Sequence, residues 1–472
     1  MKNPNIKLAS HHQFPFGLVN CITISCLIFL VYLLLSLVLD PNANQSYRAL
    51  SEQHLTTTTS TTSLEHIVFG IASSKNSWLR RKEFVRLWWR PEVMRGCVFL
   101  EEKPVNLSTS LQNDTVSLPP VCISGDTSRF PYTYKLFGQR SAIRVARVVS
   151  ETVALNHSNV RWFVFGDDDT FFFPENLVKT LSKYDHGLWY YIGANSEDFD
   201  ANKLFSFEMA YGGAGFAISY PLAKVLAKVL DSCLERYPHV FGSDGRIQAC
   251  LMELGVSLTH EPGFHQMDIR GNIFGFMAAH PIRPLVTLHH LEVPEPIFPK
   301  MTTLKSMEHL MKATKFDPLR ILQQAVCYDQ RSLFTISVSW GYAVQLIARD
   351  VPLPDVLRAQ LTFTSWRQTP HVTLDAQGYD SDPCKRPVVF FFDGVYTSDD
   401  GIVSIYWRMD INCTYDKKIE EIRVVSEKLD LDIKQLQAPR RQCCDVLQSS
   451  ANSTIHVAVR ECGPEELIRM HP

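Results

Sequence analysis

Apolar positions first gather in one unbroken block. Residues 17–39 carry no charged side chain, and 23 residues at about 1.5 Å each cover roughly 35 Å, enough for a hydrocarbon core of about 30 Å. A cleaved signal peptide has a shorter apolar region, usually about 7 to 15 residues, that ends in small side chains. This block ends in Leu39 and Asp40, so it is expected to remain as a membrane anchor. Lys2 and Lys7 precede it and Asp40 follows. By the positive-inside rule, residues 1–16 are then a cytoplasmic tail, 17–39 a signal anchor, and everything beyond faces the lumen. Residues 40–63 are polar and end in a Thr/Ser run at 56–63, which buries too little apolar surface to order itself and predicts a flexible stem.

Beyond the stem the pattern alternates between strand and helix. Residues 67–71 form a short apolar run, and residues 73–89 carry apolar side chains at helical spacing among arginines and tryptophans. Ile143, Val145, Val148, Val149 and Val153 mark one face of a helix over 141–155. Residues 161–166 predict a buried strand, 171–173 a second short one, and Pro174 suits the first position of a helix carrying Leu177, Val178 and Leu181. Strand, helix and strand in succession predict an α/β domain. After Pro294, Pro296 and Pro299, which mark a boundary, residues 301–315 suit a helix. Runs at 332–338, 387–392 and 402–407 are β-like, so residues 301–472 are expected to be a β-rich accessory region.

Asp167, Asp168 and Asp169 stand where the strand over 161–166 ends. Ligands of open α/β sheets bind outside the carboxyl ends of the strands. Three adjacent carboxylates repel one another, and a divalent cation is the simplest compensation; Mg2+ or Mn2+ shared with phosphate oxygens is the usual arrangement for nucleotides. An acidic surface turn is the plainer alternative. Net charge changes the picture only by exclusion: 47 Lys and Arg against 49 Asp and Glu, with no basic block, argue against a nucleic-acid partner. Ten of the 12 cysteines lie beyond the apolar block, six of them after residue 300, as do sequons beginning at Asn44, Asn106, Asn113, Asn156, Asn412 and Asn452. Both features suit an oxidising, secretory compartment. The cysteine pairing is not legible.

The motifs in their order resemble those of Fringe-type glycosyltransferases of the β-1,3-galactosyltransferase superfamily, and more narrowly the plant Fringe-related proteins described as a domain of unknown function. The resemblance covers residues 64–300. It is carried by the opening strand and basic helix, the acidic stretch from Trp162 to Thr170, and the glycine segment Gly212, Gly213, Ala214, Gly215, Phe216. Phe241, Gly242, Ser243 and Asp244 continue it, and Phe264, His265 and the run Leu288, His289, His290, Leu291, Glu292 complete it. The resemblance implies a GT-A type, Rossmann-like domain that binds a UDP-sugar with Mn2+ (or Mg2+). It implies Asp167, Asp169 and His290 as metal ligands, with His265 as the alternative, and Asp167, Asp168, Gly212, Gly213 and Gly215 as nucleotide-binding positions. Asp244 would be the general base, though it also suits a helix N-cap before residues 247–254. Ser243 departs from the family, which commonly has an acidic residue there. Arg80, Arg81 and Lys82 are candidates to face the diphosphate, and Trp189, Tyr190 and Tyr191 either a sugar platform or a core strand. The implied activity is inverting transfer of a hexose to a hydroxyl of a glycan, glycoprotein or other acceptor, by a type II Golgi membrane enzyme. The rival expectation is an inactive lectin-like or scaffolding relative of the same fold.

Overall fold

The first layer follows the expected alternation: β1 (Ile67–Ala72), α1 (Lys75–Trp88), β2 (Arg95–Leu100), β3 (Val121–Ile123), α2 (Ser141–Ala154), β4 (Trp162–Asp167), β5 (Phe171–Phe172), α3 (Pro174–Leu181), β6 (Tyr191–Gly193), α4 (Phe199–Leu204), β7 (Phe216–Ser219), α5 (Tyr220–Arg236), α6 (Ser243–Glu253) and β8 (Leu258–His260). All six residues of β1 are buried. Strands covered on both faces need apolar side chains at every position, and alternation splits them between two cores. Ile67, Phe69 and Ile71 join Trp78, Phe84, Val85 and Trp88 of α1 on one face. Val68, Phe163 and Phe165 meet the apolar faces of α2, α5 and α6 on the other. The Ser74 hydroxyl caps α1 by accepting the Ser77 N–H at 3.1 Å.

The structure, a computed structural model, describes residues 27–31, 61–103, 116–133, 140–329, 333–409, 419–447 and 453–469. Most of the expected anchor, nearly all of the stem and five of the six sequons lie outside the described residues; Asn156 is exposed just past α2. Residues 27–31 are helical and exposed. Among the described residues no helix is long and apolar enough to cross a membrane.

The seven strands of this sheet run in the order β3-β2-β1-β4-β7-β6-β8, with β7 antiparallel to its neighbours and the other pairings parallel. Strand order reverses between β1 and β4. That is the crevice where such sheets hold ligands, and the chain leaves it through Ser73 on one side and the three aspartates on the other.

Further elements include β9 (Ile269–Gly271), α7 (Phe274–Ala278), β10 (Thr287–Leu288), α8 (Thr303–Thr314), β11 (Gln324–Asp329), β12 (Phe334–Ser339), β13 (Ala343–Ile347), β14 (Ala359–Gln360), β15 (Phe363–Ser365), β16 (Ala376–Gln377), β17 (Val388–Ser398), β18 (Gly401–Arg408), β19 (Glu421–Ser426), β20 (Gln442–Leu447) and β21 (Thr454–Glu461). Eight of them form a second sheet, ordered β11-β12-β13-β17-β18-β19-β21-β20. The Cys327–Cys444 disulfide joins its two edge strands. Further disulfides are Cys97–Cys122, Cys233–Cys250 and Cys443–Cys462, and Cys384 is also disulfide-bonded. The apolar face of this sheet, including Ile336, Val344, Phe390 and Ile422, belongs to the same core as Phe69 and Trp88. Residues 62–472 accordingly form one compact unit.

Candidate functional site

Two short pairings assemble the site. Strand β5 pairs antiparallel with β10, Phe171 opposite Leu288. The residues just before β5 and just after β10 therefore lie side by side: Asp169 and Thr170 against His289 and His290. Thr170 knits the acidic turn to the glycine segment, its hydroxyl accepting the Asp167 N–H and donating to the Gly213 carbonyl, both at 2.7 Å. The Thr287 hydroxyl donates to the Ala214 carbonyl at 2.5 Å, and the Ala214 N–H donates to Gln266 Oε1 at 2.7 Å.

The three aspartates point to different partners. Asp168 turns inward, taking the Ser73 hydroxyl at 2.6 Å and Arg81 Nη1 at 3.1 Å, so it fastens the two loops of the crevice together. Asp169 lies between Arg81 Nη1 at 3.0 Å and His289 Nε2 at 3.2 Å. Asp167 Oδ2 is 3.8 Å from the same His289 nitrogen. Arg81 also donates to Glu292 at 2.8 Å.

His289 is buried, and its Nδ1 lies 3.2 Å from the Gln266 carbonyl. A carbonyl only accepts, so Nδ1 carries a proton and Nε2 is the atom presented to the aspartates. Ligating histidines are commonly oriented in this way, by a carbonyl on the far nitrogen. Ligand atoms of Asp169, His289 and His290 lie within 4.8 Å of one another, a set able to hold a metal ion. His290, at φ +54°, directs Nδ1 to Asp268 at 3.1 Å and stacks on Trp366 with ring centroids 5.0 Å apart. Pairing of β9 with β15 brings that tryptophan in. His289 was not singled out by its sequence position; the only signal is the adjacent histidine pair.

Charges follow from this geometry. Burial alone would raise Asp169, but His289 and Arg81 outweigh it and hold the carboxyl well below the usual range. Burial would lower His289, yet Asp169, Asp167 and Asp268 carry it up to about 9. Asp167 is pushed up to about 7 by burial, with Asp169, Asp168 and Asp244 adding to the rise and His289 opposing it.

The glycines divide by need. A Cβ on Gly213 would lie 2.0 Å from His289 Cε1, whereas one on Gly212 meets nothing closer than 3.9 Å. Gly215 adopts φ +79°, a conformation glycine tolerates best. Asp244 is the second residue of α6, which starts earlier than expected with Gly242 at the N-cap. Its carboxylate accepts the N–H of Gly245 at 3.0 Å and of Gly212 at 3.4 Å. Burial raises its pKa. Trp189 is 45% exposed and precedes β6, while Tyr190 packs on Trp162 and Tyr184.

His265 lies apart from the metal-capable group. Its Nδ1 faces Glu197 at 2.8 Å and its Nε2 faces His280 Nε2 at 3.1 Å. Burial, with His265 adding to it, lowers His280 to about 3. The unfolded imidazole binds a proton below about 6.5 while the folded one does not, so His280's contribution is intact above pH 6.5 and lost as pH falls toward about 3. Native protein should lose up to about 1.4 kcal/mol more per pH unit in that window than His280→Gln. Denaturant midpoints at pH 7 and 5 check this; parallel losses in the two proteins would refute it.

No curated protein sequence matches the chain. Among solved structures it is similar to mouse xyloside xylosyltransferase 1 in its apo form, at 11% identity and a TM-score of 0.27, covering 40% of this chain and 81% of that one. It is also similar to galactosyltransferase LgtC in complex with donor and acceptor sugar analogs, at 12% identity and a TM-score of 0.31, covering 51% and 92%. Residues 201–444, just over half of the sequence, match the family described as "Protein of unknown function, DUF604". The span runs from α4 through β20, and so takes in the glycine segment, Asp244, the histidine pair and most of the second sheet. The chain belongs to the DUF604 family.

Proposed function

We propose that this protein is a GT-A type glycosyltransferase that moves a hexose from a UDP-sugar to a hydroxyl of a glycan, glycoprotein or other acceptor, with inversion. The observation that carries the reading is the convergence of Asp169, His289 and His290 at the carboxyl edge of the sheet, beside a glycine segment whose backbone is held against them. The donor set of carboxylate and imidazole suits Mn2+ better than Mg2+. Asp169 and His289 would hold the ion, with Asp167 and His290 beside them, and the bound cation would supply Lewis-acid neutralisation of the departing diphosphate. His289 and Arg81 keep Asp169 ionised, and Asp168 ties the β1 loop to the acidic turn. Gly213 leaves room for the His289 ring, and Gly215 takes the positive φ of the segment. Asp244 takes the proton from the acceptor hydroxyl as it attacks the anomeric carbon. One base and no enzyme nucleophile correspond to inversion.

The same proposal assigns residues 64–300 to donor binding and residues 301–472 to an accessory role, in a type II membrane protein of the Golgi. The oxidising compartment is supported by the disulfides and by the exposed sequon at Asn156.

Calorimetric titration of the protein with UDP, with and without Mn2+, tests the reading. Binding should require the metal in native protein and vanish in Asp169→Asn. Absence of metal-dependent binding by the folded native protein would sink it.

A further inference from the structure

One side chain from beyond residue 300 reaches the metal-capable group. Strand β15 pairs antiparallel with β9, Ser365 opposite Ile269, and the Trp366 N–H extends the ladder by donating to the Asp268 carbonyl at 2.7 Å. Alternation puts Ile269, Phe363 and Ser365 on one face of this ribbon, where they are buried, and Asp268, Arg270, Thr364 and Trp366 on the other. On that second face Arg270 donates from Nε to the Trp366 carbonyl at 3.1 Å, and its guanidinium carbon lies 4.3 Å from the centre of the indole ring. The indole is thus pinned in place although 37% exposed.

Asp268 sets the protons of His290. The Ser196 hydroxyl accepts the Asp198 N–H at 3.0 Å and donates to Asp268 Oδ2 at 2.7 Å. Gln266 takes the Ala214 N–H on its side-chain oxygen, which turns its Nε2 toward Asp268 Oδ1 at 3.3 Å. A carboxylate surrounded by donors acts as an acceptor, so the His290 Nδ1 that faces it at 3.1 Å carries a proton. Nε2 is then the one atom of that ring with a lone pair to offer. A carboxylate on the far nitrogen is the usual support of a ligating imidazole.

The ring itself is held from both its neighbours. His290 adopts φ +54°, a sparsely populated conformation that persists where the surroundings over-determine it. Its ring centroid lies 3.7 Å from that of His289 and 5.0 Å from that of Trp366, with tilts of 33° and 26°. Its side chain is 23% exposed, open enough to meet an ion. We infer that Trp366 and Asp268 are positioning residues for the metal: they fix the His290 ring so that Nε2 serves as a second imidazole ligand beside His289, and the region beyond residue 300 thereby completes the metal site. This inference rests on the metal-dependent reading given above.

Mn2+ binding to the full-length protein with UDP in excess, followed by loss of the free-ion electron paramagnetic resonance signal, tests it without turnover. Native protein should bind the ion and Asp169→Asn should not. Trp366→Ala should weaken Mn2+ affinity by about 10 to 100-fold, the usual effect of losing such supports, while Trp366→Phe, which restores a flat ring, stays within about threefold of native. Electron spin-echo modulation from coordinated nitrogen should correspond to two imidazoles in native protein and in Trp366→Phe, and to one in Trp366→Ala. A merely structural role for the tryptophan would lower the melting temperature and leave that count unchanged. No Mn2+ binding by native protein would overturn this inference and the transfer reading together. Binding that Asp169→Asn abolishes, with a single imidazole in native protein or with Trp366→Ala matching native affinity, would overturn this inference alone. If Trp366→Ala does not fold, the imidazole count in native protein decides.

Discussion

Asp244→Asn is expected to lower sugar transfer by about 10² to 10⁴, the usual cost of removing a general base, while UDP binding in the presence of Mn2+ stays within about twofold. The carboxylate sits at the second position of α6, half-buried, against the bare edge of Gly212. Its charge reaches Asp167, whose pKa it helps to raise, and it is not among the three residues whose ligand atoms cluster as the metal-capable group. Burial disfavours its ionised form, which leaves a carboxylate readier to take a proton than an exposed one. Asparagine keeps the shape and an oxygen for the Gly245 N–H but cannot accept a proton. A structural role at the helix start would instead lower stability and leave turnover per folded molecule intact. Single-turnover transfer and melting temperature, measured together, separate the two; transfer within a few-fold of native would remove Asp244 from the reaction.

Local pattern made the frame legible. Unbroken apolar runs at β1 and β4 announced strands covered on both faces, and the spacing of Ile143, Val148, Val149 and Val153 announced α2. The acidic turn was placed correctly at a strand exit because strand ends are set by local sequence. What each aspartate does was not legible. Three identical side chains in a row differ only in direction, and direction comes from the turn that Thr170 closes with the Gly213 carbonyl, a bond across 43 residues.

The histidines show the same limit. His289 and His290 are equivalent in one dimension. The register of β10 on β5 and the positive φ of His290 send the first toward Asp169 and the second toward Asp268 and Trp366. In the accessory region the strands over 334–339, 388–398 and 401–408 were foreseeable from their β-like runs. Insertion of β21 between β19 and β20 was not, since it depends on pairing between distant segments.

Gly213→Ala should abolish metal-supported UDP binding, or weaken it by at least about 10 to 100-fold, the range seen when the supports of metal-ligating histidines are lost. The added methyl would fall 2.0 to 2.4 Å from three ring atoms of His289. The ring cannot step aside in place. It is 3% exposed, with the Gln266 carbonyl on one nitrogen and Asp169 on the other. Either the imidazole leaves the acidic turn or the glycine segment moves, and the Thr170 bond to the Gly213 carbonyl opposes the second route. Overpacking of this kind also destabilises by about 1–3 kcal/mol, so binding must be read on folded protein. Gly212→Ala is the matched control, because its Cβ would meet nothing within 3.9 Å. A methyl there should leave Mn2+-dependent UDP affinity nearly unchanged. Equal losses in the two variants would mean that the whole segment serves a ligand directly, and that His289 is not what Gly213 makes room for.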